Sequence, residues 1–295
     1  ISMYDYLHYV DTPQAGDRVA VVIAAGEIVD GDARKGTIGA RAASELIQRA
    51  RRDDAVKALV LRIDSPGGSA SASELIREQL DLTRRAGKPV VVSLGDVAAS
   101  GGYWIAMGGD EVFADAATIT GSIGVFALIP DFAGTADKVG VQTGGTGSTW
   151  LTEATDLSRP LDPRLEQIIE TSVGNTYRQF LDVVAAQRKS TPERINEVAQ
   201  GRVWTGAQAK ERGLIDELGG LGAAIQAAAR RADLGDTPVV EYIEHEPRGL
   251  QRYLSLLLGE IGATLRDEFG WDTLARALLR EQPARALSYC FCAPQ

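Results

Sequence analysis

Two apolar runs of strand length, Ala58 to Ile63 and Pro89 to Ser93, each pass through a turn of small residues into a stretch of helical character. That order constrains the fold more than any other feature, because strands and helices in alternation predict a mostly parallel sheet with helices over its faces. The same reading gives strands at 18–23, 57–63 and 89–93 and helices at 39–52 and 70–86. A short helix is expected from near Ser100, then strands near 111–114 and 118–119, a helix at 129–138 and a strand at 140–143. From Pro163 to Gln187 the apolar residues Leu165, Ile168, Ile169, Val173, Tyr177, Phe180, Leu181 and Val184 recur every three or four positions, which predicts a long amphipathic helix. Ser190 or Thr191 caps the next helix, with Pro192 in its first turn and Glu193 completing a capping box. The fold class is α/β.

The two turns carry the chemistry. Leu94-Gly95-Asp96-Val97-Ala98-Ala99-Ser100-Gly101-Gly102-Tyr103-Trp104-Ile105-Ala106 sets Ser100 among small residues directly after a strand, which is how a fold presents an exposed hydroxyl to a carbonyl carbon. An ordinary tight turn with a helix-capping serine has the same composition. Upstream, Asp64-Ser65-Pro66-Gly67-Gly68-Ser69 leads into the 70–86 helix. Two glycines there can aim backbone N–H groups at an anion, helped by the helix N-terminus, and an oxyanion hole needs such donors. A plain proline-glycine turn would read alike. What is uncommon is the ordered set, in which Ser100-Gly101-Gly102 and then Thr120-Gly121-Ser122-Ile123-Gly124 follow the first pair.

With these motifs the sequence resembles the signal peptide peptidase A family, Ser-Lys peptidases of the wider Clp protease and crotonase superfamily. The matching pieces are Ser65 to Ser69, Ala98 to Trp104, Thr120 to Gly124, Val203-Trp204-Thr205-Gly206 and Gly213-Leu214-Ile215-Asp216. The likeness runs from about Asp17 to Ile243 and is greatest to the C-terminal half of the long, internally duplicated form. It implies a stacked spiral of strand-strand-helix units. It divides the chain into a leading segment at 1–16, a peptidase domain at 17–246 with its core at 17–160 and a helical extension at 161–246, and a helical tail at 247–295. It further implies Ser100 as nucleophile and the N–H groups of Gly101 and of Gly67 or Gly68, with Gly68 preferred, as oxyanion donors. Ser122 matches a serine that orients the catalytic lysine, and a turn residue is the equal alternative.

The departure from the family is that lysine. In the short members it follows the Thr-Gly-Ser motif in the stretch corresponding to Val141 to Leu157, which here contains none. In the long form one half supplies the lysine and the other the serine, so this chain is expected to hold the serine half alone. A serine hydroxyl is a weak nucleophile without an adjacent base, and a lysine serves only when its amine is neutral. Of the lysines at 35, 57, 88, 138, 189 and 210, Lys138 lies nearest the expected region, but Asp137 beside it favours the charged form. The two histidines, His8 and His245, fall far from the motifs, so a Ser-His-Asp triad is not expected.

The chain has 295 residues, 44% of them hydrophobic, enough for a large core. A formal net charge of -9, without a basic cluster, argues against nucleic-acid binding. No stretch reaches bilayer-spanning length, and Ile1-Ser2-Met3-Tyr4-Asp5 lacks the features of a signal peptide; because the sequence begins with isoleucine rather than methionine, a fragment or a processed product is expected, which agrees with the missing half. Cys290 and Cys292 read as incidental tail residues, and neither a metal nor an organic cofactor is called for. Leu250 to Leu258 and Trp271 to Leu279 are expected to pack as helices on the body or a neighbouring subunit rather than on a membrane surface. Tyr103, Trp104 and Trp204 are expected in the core. The expected function is that of a serine endopeptidase module acting on apolar peptides such as cleaved signal peptides, with the lysine supplied by an N-terminal half or partner chain. The resemblance also implies a homo-oligomer, anchored through that half on the extracytoplasmic face of a bacterial membrane. A catalytically silent half-subunit and a crotonase-like acyl-CoA enzyme are the alternatives.

Overall fold

Three strands rich in β-branched residues form the centre of the main sheet. They are β1 (Arg18–Ala25), β4 (Val56–Ser65) and β6 (Val90–Ala99). Between β1 and β4 lie the short strands β2 (Glu27–Val29) and β3 (Thr37–Gly39), and between β4 and β6 lies β5 (Gly67–Ser69). After them come β7 (Glu111–Ala114), β8 (Ile119–Gly121), β9 (Val203–Thr205), β10 (Glu217–Leu218) and β11 (Val239–Tyr242), with β12 at Leu287–Tyr289. The computed structural model describes residues 16–32 and 36–244 and the strand backbone at 287–289. His8, Lys35, His245, Cys290, Cys292, the leading segment to residue 15 and the apolar runs at 250–258 and 271–279 lie outside the described residues.

The main sheet runs β10-β7-β6-β4-β1-β11, with β8 on the far part of β6 and β9 beside β8. Every pairing in it is parallel except β8 with β9. Both faces are covered, and alternation along each strand sorts the side chains. Val19, Val21, Ala58, Val60 and Val91 meet the alanine-rich helix Leu221–Arg231 on one face. Ala20, Val22, Leu59, Leu61, Ile63, Val90 and Val92 face the larger core on the other, built with helices Ala40–Arg52, Ala70–Arg85 and Pro163–Gln187. A smaller sheet, β12-β5-β2-β3, stands apart from the first. The described residues through Ile243, together with the strand backbone at 287–289, belong to one compact unit. Among the described residues no helix is long and apolar enough to cross a membrane.

Several expectations change. β6 continues through Ala99, so Gly95 to Ala99 are strand rather than turn. The helix expected at 129–138 is confined to Ala133–Lys138, and no strand forms at 140–143, where every residue is exposed and no neighbouring strand offers a ladder. Thr191, not Ser190, caps the helix Pro192–Val198, which moves Glu193 to the second helical position, one short of a capping box. A reciprocal box does form at Thr205 and Gln208. Residues 287–289, within the stretch expected to be a helical tail, are extended.

Candidate active site

Strand register brings the three motifs together. Ser65 lies opposite Ala98, Ala98 opposite Thr120, and Ala99 opposite Gly121. Ser65 to Gly68, Ser100 and Ser122 therefore all emerge at the carboxyl ends of three neighbouring parallel strands, where ligands of open α/β sheets bind. Cross-links hold these ends in place. The Thr120 hydroxyl donates to the Ala98 carbonyl at 2.7 Å, the Ser100 N–H to the Gly121 carbonyl at 2.9 Å, and the Ser122 N–H to the Arg202 carbonyl at 2.8 Å.

Ser100 caps the helix Gly101–Ala106 with φ 52° and ψ -117°. A non-glycine residue held at such angles costs of order 1–3 kcal/mol and persists only where its surroundings fix it. Its Oγ is buried and has no hydrogen-bond partner among the described residues. Ser122, also buried, has φ 50°.

Two glycines make the close approach possible. Gly68 has φ +150°, and a Cβ there would lie 2.0 Å from the Ile28 carbonyl oxygen. A Cβ on Gly101 would lie 2.5 Å from the Ser73 Oγ and 3.3 Å from the Gly68 nitrogen, so the start of the Gly101–Ala106 helix sits against the Gly68 backbone. As the first helical residue, Gly101 carries an N–H with no acceptor inside its own helix. The Gly67 N–H, by contrast, donates to the Ser65 Oγ at 3.1 Å. Ser69 caps the Ala70–Arg85 helix through Ala72 N–H and donates to Asp30 Oδ1 at 2.9 Å, which also accepts from Ser71 at 3.0 Å. Sequence reasoning missed both the Ser65 lock and Asp30. Asp30 sits in an Asp-Gly-Asp turn that nothing in the sequence separates from ordinary surface.

Ser122 also opens onto a groove of about 1020 Å³ whose walls include Val125, Phe126, Tyr177, Val203 and Trp204. Trp204, expected in the core, is half-buried here, with the Arg212 guanidinium 3.9 Å over its ring. Tyr103 and Trp104 are core residues as expected. The Tyr103 hydroxyl donates to the Leu214 carbonyl at 2.6 Å, and burial pushes its pKa up to about 12. Trp104 Nε1 donates to Glu74 at 2.7 Å. Burial pushes the Glu74 carboxyl up, but hydrogen bonds from Arg77 and Trp104 outweigh it and hold the group below its ordinary range. The Gly213 to Asp216 motif meets this buried helix through the Leu214 carbonyl, while Asp216 pairs with Arg188 at 2.9 Å and accepts from the Val112 N–H at 2.8 Å.

None of the described lysines reaches Ser100. Lys57 pairs with Asp17, Lys88 donates to the Ala50 and Asp53 carbonyls, and Lys210 pairs with Glu217. Lys138 and Lys189 are exposed, Lys138 at the end of its short helix.

A strained, buried serine at the carboxyl end of a parallel sheet, with glycine backbone alongside, defines a class of α/β proteins whose site is built at the strand ends. Within that class the chain belongs to peptidase family S49, whose profile matches residues 83–235. It is 41% identical over 266 residues to Protease 4 of Salmonella typhi, covering 90% of this chain and 42% of that protein. It is 38% identical over 270 residues to the chloroplastic serine protease SPPA of Arabidopsis thaliana, covering 90% of this chain and 39% of that protein. The chain thus spans about two fifths of the length of these relatives. Among solved structures, a ClpP1 mutant from Listeria monocytogenes aligns over 70% of this chain and 94% of its own, at a TM-score of 0.46 and 14% identity.

Proposed function

We propose that the chain is the serine-bearing module of an endopeptidase. In this reading the Ser100 Oγ attacks a peptide carbonyl carbon while its proton passes to a neutral amine. The oxyanion is held by the N–H groups of Gly68 and Gly101. On collapse the leaving amine takes a proton, and water hydrolyses the acyl-enzyme. Gly68 is preferred over Gly67 because Ser65 already engages the Gly67 N–H.

The observation that carries the reading is the buried Ser100 Oγ, without a partner among the described residues, at a strained turn whose next residue, Gly101, sits against the Gly68 backbone. An unsatisfied buried hydroxyl calls for an explanation, and a missing base is one. The amine is assigned to a lysine outside the described residues, in the part of the longer relatives that this chain does not span, with Ser122 orienting it. The substrates are apolar peptides such as cleaved signal peptides, a choice supported by the largely apolar groove beside Ser122. The working form is an oligomer held at the extracytoplasmic face of a bacterial membrane through the lysine-bearing half.

The test is hydrolysis of a short apolar fluorogenic peptide by this chain, alone and with a lysine-bearing N-terminal half of a long relative, after circular dichroism confirms folding. Serine-dependent turnover is expected only with the added half, and Ser100→Ala is expected to abolish it. Turnover that survives Ser100→Ala would overturn the nucleophile. A folded mixture that never cleaves would favour the silent half-subunit.

A further inference from the structure

We propose that Ser73 is a positioning residue for the oxyanion site, a buried spacer that sets the start of the Gly101–Ala106 helix against the end of β5. The inference rests on the peptidase reading above, since it concerns the two glycines that reading assigns to the oxyanion.

Ser73 lies in the first turn of the Ala70–Arg85 helix and is fully buried. Its hydroxyl donates to the Ser69 carbonyl at 2.9 Å. Serines inside helices commonly bond back by one turn, at a small cost to the helix. Alanine would form the helix better and would bring no polar group into the core. What sets Ser73 apart is its other side. Its Oγ stands 2.5 Å from where a Cβ on Gly101 would lie, the nearest of the surrounding atoms, so it fills the space on that face of the glycine. Next nearest to the same point are Ile28 Cδ1 at 3.2 Å and the Gly68 nitrogen at 3.3 Å. Ser73, Gly101 and Gly68 thus meet at one spot.

From there Ser73 bears on both oxyanion donors. Toward β5 it fixes Ser69, the residue after Gly68, whose side chain is already tied to Asp30 and to the Ala72 N–H. Toward the nucleophile it abuts Gly101, the residue after Ser100. One position further along the same helix, Glu74 accepts from Trp104 Nε1 at 2.7 Å and takes two bonds from Arg77, each 2.7 Å. That grip holds the two helices in register beside Ser73. Oxyanion donors work because they are aimed before charge develops, and a small displacement forfeits much of their effect. A hydroxyl has the size this gap needs, where a methyl group would leave Gly101 room to shift.

The test compares the native chain with Ser73→Ala, Gly101→Ala and the double variant. Thermal midpoints are taken on the chains alone, and kinetics on the apolar fluorogenic peptide with the lysine-bearing half of a long relative added. Ser73→Ala is expected to keep its midpoint within a few degrees. Its kcat is expected to fall about tenfold with KM unchanged, the signature of an interaction made only in the transition state. Gly101→Ala is expected to melt well below the native chain, because its Cβ meets the Ser73 Oγ. Adding Ser73→Ala to it is expected to recover most of that loss, since no remaining neighbour is closer than 3.2 Å. A native kcat in Ser73→Ala, or an effect confined to KM, would overturn the inference and leave the peptidase reading intact. A double variant no more stable than Gly101→Ala would overturn it too, because Ser73 would then not be what fills that space. A native mixture that never cleaves the peptide would sink the peptidase reading, and the positioning role with it.

Discussion

Ser100 carries two local costs at once. Its backbone is held at φ 52°, and its Oγ is buried without a partner among the described residues. The first is worth about 1–3 kcal/mol and the second a similar amount. Ser100→Ala removes only the second, so it is expected to raise the unfolding free energy by about 1 kcal/mol. Ser100→Gly removes both, and is expected to keep that gain even after glycine's extra chain entropy of about 0.5–1 kcal/mol. Urea denaturation midpoints check both, and a destabilised Ser100→Ala would mean that the hydroxyl has a partner after all. At this scale the place of Ser100 at a strand-to-helix turn was legible from the ordered set of glycine motifs, since the segment alone reads equally as a capped turn. The status of Gly67 was not, because the Ser65 lock depends on a backbone path that composition does not encode. The strain at Ser122 was hidden for the same reason, since it follows from pairing between strands far apart in sequence.

The Gly101–Ala106 helix is an element buried on all sides, a condition that a six-residue motif cannot announce. Tyr103 anchors it to the Leu214 carbonyl, so Tyr103→Phe is expected to cost about 1 kcal/mol at neutral pH. Burial raises the folded-state pKa of Tyr103 to about 12, against about 10 for an unfolded tyrosine. Between those values the unfolded chain gives up the proton and the folded chain keeps it. The stabilisation is thus complete below about pH 10 and falls by about 1.4 kcal/mol per pH unit as the pH rises toward the folded value. The advantage of the native residue over phenylalanine should shrink from pH 10 and invert near pH 11, as chemical denaturation at pH 7, 9 and 11 would measure. A gap that stays constant would mean that the phenol is not titrating from a buried state. Elements with continuous apolar runs of strand length or three-and-four spacing were legible, such as β1, β4 and the Pro163–Gln187 helix. The extension of β6 through Ala99 was not, because Gly95 and Asp96 carry turn signals that pairing with β8 overrides. The strand expected at 140–143 failed in the opposite sense, having local propensity but no partner strand.

At the scale of the molecule, burial is unevenly distributed. The sheets and their covering helices are densely packed, yet no residue from Gly124 to Gln179 is buried. That span leaves Leu128 84% and Val139 68% exposed, with Phe132, Val141 and Ile168 each more than half exposed. A segment with helices but no buried side chain contributes little to its own folding, because burial of an apolar face supplies most helical stability in proteins. Exposed apolar groups on this scale are a feature of interaction sites, and under the proposed function the lysine-bearing half or a second copy would cover them. Leu128→Asp with Phe132→Asp should therefore leave the thermal midpoint of the isolated chain nearly unchanged, since exposed substitutions fall within about 0.5 kcal/mol. The same pair should lower the sedimentation coefficient wherever the native chain self-associates, and should weaken activation by an added lysine-bearing half. A drop of many degrees in the midpoint would show that these side chains support the chain's own core. Unchanged sedimentation and activation would place the covering surface elsewhere. The pattern also separates two parts of one chain, a densely packed sheet that fixes Ser100 and its glycines, and a long excursion that meets the core chiefly through Tyr177 and the buried end of the Pro163–Gln187 helix.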